Sequence, residues 1–127
     1  MAKKLEHAEH NKKLCEKINA EKVHNDWCIT TAFYSALHFV DLKILPFKLS
    51  DTIKCKDLKE ASYHLRTKSK HETREEMVKI QCNKIYDAYR WLADNAHDAR
   101  YKTYKFTPTQ ADKALQFLNE IQTYCTT

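Results

Sequence analysis

The chain has 127 residues, a formal net charge of +5 and not one glycine. That length suits one domain with a sizeable core. Without glycine there is no phosphate-cradling loop and no dinucleotide-binding turn, both of which need positive φ or close backbone approach; no cofactor is expected. Hairpin-rich β folds are disfavoured for the same reason. Helix formers dominate and helical periods run almost end to end, so the expected class is all-α.

Residues 3 to about 22 read as a first helix, with Leu5, Ala8, Cys15, Ile18 and Leu14 on one stripe. His7 and His10, one turn apart, read as solvated side chains near a terminus. The stretch from His24 to Leu45 is the centre of the organisation. Asn25 or Asp26 is the expected helix cap. Ile29, Phe33, Ala36, Leu37, Val40 and Ile44 recur at helical spacing, and Trp27, Tyr34, His38 and Asp41 form a second stripe. Such a helix belongs in the middle of a bundle. It is too polar to span a membrane, and Pro46 stops it.

The segment after Pro46 is the least regular, with a short helix expected over Asp57 to Leu65. The basic run HLRTKSKH, from His64 to His71, reads as a connector or as a phosphate-clamping loop. A third helix begins near Ser69 to His71, where Glu72, Glu75 and Glu76 complement the helix dipole; Met77, Val78 and Ile80 supply its apolar side. The pattern continues through Ile85, Tyr86, Tyr89, Leu92, Ala93 and Ala96, as one long helix or as two with a break near Cys82–Asn83. The last helix opens on Thr107 with Pro108 at its first position and Gln110 at its third, a capping box. The expected architecture is a compact antiparallel bundle of four main helices plus a short one.

The five cysteines are unpaired in spacing and read as small apolar residues of a reducing compartment. The N-terminus has no apolar core for a signal peptide, so the expected location is cytoplasmic. No zinc spacing is present, and a di-iron bundle lacks its glutamates, so no metal is expected.

The late stretch ADNAHDARYKTYKF carries the most informative polar cluster. Arg90 and His97 are seven residues apart, nearly two turns, and project from one side of a helix. Asp94, Arg100, Tyr101 and Tyr104 continue the stripe. A titratable histidine beside a fixed cation and a carboxylate is what metal-free RNA cleavage requires. A second pair, Arg66 and His71, is five residues apart and meets only if TKSK turns. His71 and Arg74 are one turn apart, as are His38 and Asp41, and the latter pair must find partners if buried, for which Arg74 or Arg100 are the natural candidates. This group reads as a binding site or as a polar network that fixes helix register.

The segments AFYSALHFVD, HETREEMV and YRWLADNAHDARYKTY, followed by the capped final helix, together resemble the HEPN superfamily over residues 24 to 122. The resemblance implies a small helical bundle that dimerises and acts on RNA. Many members are metal-independent ribonucleases of toxin–antitoxin, CRISPR or phage-defence systems. Their Arg-x4–6-His motif is matched best by Arg90 and His97, with Arg90 and Arg100 holding phosphate and His97 transferring the proton. Trp91 stands where active members usually carry a polar residue, and HDARYKTY resembles the arginine–tyrosine stretch of members without that motif. The alternative is therefore a non-catalytic module that binds a nucleotide, an antitoxin or a nucleotidyltransferase through His38, Asp41, His71, Arg74, Arg100 and Tyr101.

Overall fold

In the computed structural model, which describes residues 2–127, six helices and one short hairpin build the chain. They are α1 (Ala2–Glu21), α2 (Asn25–Ile44), β1 (Phe47–Lys48), β2 (Lys54–Cys55), α3 (Leu58–Leu65), α4 (Lys70–Gln81), α5 (Tyr86–Tyr101) and α6 (Pro108–Cys125). The all-α class holds. The expected tally of helices does not, because the stretch after Ser69 breaks in two. Cys82 leaves helical geometry at φ −128°, ψ 43°, and a single 3₁₀ turn over Asn83–Ile85 leads into α5.

α2 is the axis of the fold. Thirteen of its twenty residues are buried, and α1, α4, α5 and α6 all pack against it. Its buried hydroxyls are all hydrogen-bonded. Thr30 donates to the Asp26 carbonyl and Thr31 to the Trp27 carbonyl, both at 2.8 Å, while Ser35 donates across to the Ala8 carbonyl of α1 at 2.7 Å. Apolar residues of every helix converge on this axis, with Phe33, Phe39, Tyr89, Met77, Leu92, Leu118 and Ile121 among the largest fully buried side chains. Ile80, expected to face inward, is exposed.

The capping box expected at Thr107 forms, and Asp57 and Ser69 prove to be caps as well. The Asp57 side chain accepts from the Glu60 N–H, the Ser69 side chain from the Glu72 N–H, and Thr107 with Gln110 closes the reciprocal box. The cap expected for α2 is corrected. His24 occupies that position without a side-chain bond. Asn25 instead donates to the Phe106 carbonyl at 2.9 Å, tying the α5–α6 connection to the start of α2.

The hairpin, unsuspected from sequence, pairs Phe47 with Cys55 and Lys48 with Lys54. Ser50 replaces glycine chemistry in its turn by accepting from the backbone of Thr52 and Ile53. Lacking glycine, the chain places Lys22 and Arg66 in the left-handed region, both at φ 57°. The five cysteines are free and buried, and the Cys15 and Cys28 sulfurs lie 3.7 Å apart between α1 and α2. Among the described residues, no helix is long and apolar enough to cross a membrane.

Candidate functional site

Three helices bring the sequence-predicted polar residues together beside the second stripe of α2. His38 and Asp41 come from its second stripe, His71 and Arg74 from the first turns of α4, and His97, Arg100 and Tyr101 from the end of α5. The best-defined contact joins Asp41 to Arg74. The arginine Nε and Nη2 donate to the two carboxylate oxygens, each at 2.9 Å, and both side chains are nearly enclosed. A bidentate pair of this kind fixes the register between α2 and α4. The Tyr89 hydroxyl is buried beside this pair and has no hydrogen-bond partner among the described residues. Burial, with Asp41 and Glu75 adding to it against Arg74, holds its proton far more tightly than in an ordinary phenol.

Arg100 differs from Arg74 in having no counter-ion among the described residues. Its guanidinium carbon lies 5.4 Å from the Tyr34 and Tyr101 rings and 5.8 Å from Phe33. Its Nε and Nη1 are shut off from solvent with no acceptor. Three aromatic faces offset part of the cost of burying the charge. They supply no hydrogen-bond acceptor in the plane of the guanidinium, which is where a carboxylate or phosphate would bind.

Two histidines flank this cation. The His71 ring packs 5.8 Å from Phe33, and burial followed by the charges of Arg74, Arg100 and His97 pushes its pKa down. His97 is exposed, with its ring 5.0 Å from Tyr101 and Nδ1 3.8 Å from Asp98. His38 lies deeper and stacks on His7 of α1 at 3.8 Å between ring centres. Burial lowers its pKa, then the neighbouring His7, against the pull of Asp41.

The Arg90 and His97 pair is only partly assembled. Both side chains are exposed on the same helix. Each is engaged elsewhere: Arg90 donates to the Tyr86 hydroxyl at 3.1 Å and lies 3.7 Å from Asp94, while His97 faces Tyr101 and Asp98. Glu75 of α4 lies close enough to Arg90 and Asp94 for their charges to act on it; burial and Asp94 raise its pKa. The second candidate pair is not brought together by any hydrogen bond or ion pair among the described residues. Arg66 ends α3 in the left-handed region and is exposed, and His71 turns toward Phe33.

Sequence reasoning missed Phe33 and Tyr34 as the rings around Arg100, and His7 as the cover of His38. Tyr34 was legible, since it shares a stripe with His38 and Asp41. His7 carried no signal, because it lies off the apolar stripe of α1 and meets His38 only through the tertiary packing of α1 on α2. No three His, Cys, Asp or Glu side chains gather as metal ligands among the described residues. No protein-family model matches the chain, and no curated protein or solved structure matches it.

Proposed function

We propose that the chain is an HEPN-like domain that acts on RNA, with Arg100 holding a phosphate and His97 beside it as the proton-transfer residue. The observation that carries this reading is the half-buried Arg100 guanidinium, whose Nε and Nη1 are shut off from solvent and which has no counter-ion among the described residues, set among Phe33, Tyr34 and Tyr101. A guanidinium held in that way is prepared for an anion, and RNA supplies both the anion and the bases for the neighbouring rings. The exposure of His97 and Arg90 supports metal-independent cleavage, in which His97 moves the proton and arginine charge stabilises the pentavalent phosphorus. The paired motifs that the resemblance implies would come from two copies of the chain. A toxin–antitoxin or phage-defence setting fits such an activity.

A second reading is favoured by where the buried groups gather. They surround Arg100 rather than Arg90, which is tied to Tyr86 and Asp94. In this reading the domain holds a nucleotide, or an acidic surface of an antitoxin or nucleotidyltransferase, without cutting.

Labelled RNA incubated with the protein and a chelator separates the two. The leading reading expects fragments from the wild type and none from His97→Ala, with RNA still bound and helical circular dichroism unchanged. Binding without cleavage by either protein selects the second reading. Cleavage undiminished in His97→Ala, or no RNA bound at low salt, contradicts the first.

A further inference from the structure

We infer that Cys15 of α1 and Cys28 of α2 are an oxidation site, a thiol pair that a hydroperoxide closes into a disulfide stapling the two helices. The inference goes beyond the RNA reading and does not depend on it. The two sulfurs lie 3.7 Å apart, in contact but unbonded. A bridge of about 2.05 Å asks them to close by roughly 1.7 Å more.

Small residues let the helices come this close. Ala8 and Cys15 are seven residues apart on α1, Cys28 and Ser35 are seven apart on α2, and all four are fully buried. Seven residues are nearly two turns, so each pair faces one way. The helices run antiparallel, which sets Ala8 against Ser35 and Cys15 against Cys28. The Ser35 hydroxyl donates to the Ala8 carbonyl at 2.7 Å. The Cys15 sulfur lies 3.4 Å from the Cys28 carbonyl oxygen, and the Cys28 sulfur 3.9 Å from that of Cys15. Side chains as short as these reach the facing backbone only where the two backbones nearly touch. A disulfide makes the same demand, since its α-carbons stand only about 4.4–6.8 Å apart.

The pair is also polarised. The Cys15 thiol hydrogen-bonds to the Cys28 sulfur and lowers the Cys28 pKa, helped by Lys22 and opposed by burial and Asp112. The same contact, with burial, pushes the Cys15 pKa up. Cys28 is therefore the nucleophile. Lys22 and Asp112 form an exposed ion pair at 2.6 Å, and because their charges reach Cys28, its sulfur lies close beneath the surface. A hydroperoxide is small enough to enter when that pair parts. The Cys28 thiolate attacks one peroxide oxygen, the O–O bond breaks, and the sulfur becomes a sulfenic acid as the other oxygen leaves as water. The Cys15 sulfur then attacks the sulfenic sulfur. The S–S bond forms, the S–O bond breaks, and a second water carries off the Cys15 proton. Two thiols lose two electrons in all, and hydrogen peroxide is reduced to two waters. α1 also carries His7, which stacks on His38, so the bridge would hold that cover of the candidate site in place.

The test is to treat the whole reduced protein with hydrogen peroxide, block the remaining thiols with iodoacetamide, and map it without reductant. The mass before blocking should fall by about 2 Da, and three thiols of the five should be alkylated. The tryptic peptides Leu14–Lys17 and Val23–Lys43 should be joined. The bridged protein should melt roughly 10 °C higher, and dithiothreitol should remove the gain. Cys15→Ala and Cys28→Ala should each abolish both the link and the gain while keeping helical circular dichroism. The wild-type map needs neither variant to fold. Five thiols still alkylated after peroxide has oxidised a free thiol control overturns the proposal. So does a bridge between Cys82 and Cys125 in place of this one, or a linked protein that melts no higher.

Discussion

Asp41 of α2 and Arg74 of α4 meet through two parallel hydrogen bonds of 2.9 Å, with only 9% and 12% of their side chains exposed. Removing one member leaves the other charged and largely out of water. Arg74→Ala should therefore cost about 3–5 kcal/mol. At roughly 3–6 °C per kcal/mol, the melting temperature should fall by roughly 10 °C or more. Replacing both residues with apolar groups of similar size should recover most of that loss, because the penalty comes from the orphaned charge. A single variant that melts with the wild type would show that the pair does not hold α4 to α2.

Acid should loosen the same region before it affects the rest. Both His38 and His71 have pKa values pushed below their ordinary 6.5, by burial first and by neighbouring charge second. Above about pH 6.5 both the folded and unfolded chains hold them neutral, and they contribute no slope. As pH falls through that value the unfolded chain takes the protons first, so stability drops until the folded values are passed. The groups facing these rings are His7, Lys4, Asp41 and Arg74 around His38, and Arg74, Arg100 and His97 around His71. Glu75 acts in the opposite sense: its pKa is raised above 4.5, so acidification through its folded value returns some stability. Urea midpoints should thus fall between about pH 7.5 and pH 5.5, and the fall should be shallower in a His38→Gln, His71→Gln variant. An equal slope in that variant would assign the effect to other groups.

The absence of glycine predicts a stabilising change. Arg66 ends α3 at φ 57°, where a side chain costs about 1 kcal/mol that glycine avoids. After the roughly 0.5–1 kcal/mol lost to the extra freedom glycine gives the unfolded chain, Arg66→Gly should gain at most about 0.5 kcal/mol by chemical denaturation. Because Arg66 is exposed and shares no hydrogen bond or ion pair with Arg100 among the described residues, RNA binding should be unchanged. Lost binding would instead revive Arg66 and His71 as the working pair.

The fold was legible where the chemistry is local. Thr107, Pro108 and Gln110 announce the start of α6, Ser69 and Asp57 announce their helices, and the periodicity of residues 24 to 45 marks the central helix. The hairpin around Phe47 and Cys55 was not legible, because two residues per strand are too few to show alternation. The site was legible as a set of residue types and in the pairing of a buried Asp41 with Arg74, but not in the rest of its arrangement. Spacing put Arg90 and His97 on one face, which is correct. The i,i+4 spacing of Tyr86 and Asp94 from Arg90 also carries the local contacts that occupy it. Spacing had no means of showing that Arg100 is left among Phe33, Tyr34 and Tyr101, because that is set by how α5 lies against α2, a tertiary relationship that helical periodicity does not encode.

The most direct measurement is the affinity of the protein for a labelled single-stranded RNA as a function of salt, compared with that of Arg100→Gln. With Arg100 as the phosphate-holding residue, the variant should bind at least about 10-fold more weakly. Its dependence of log affinity on log salt should be shallower by about one unit, reflecting one phosphate contact fewer. A folded Arg100→Gln protein that binds with wild-type affinity and wild-type salt dependence would contradict the assignment.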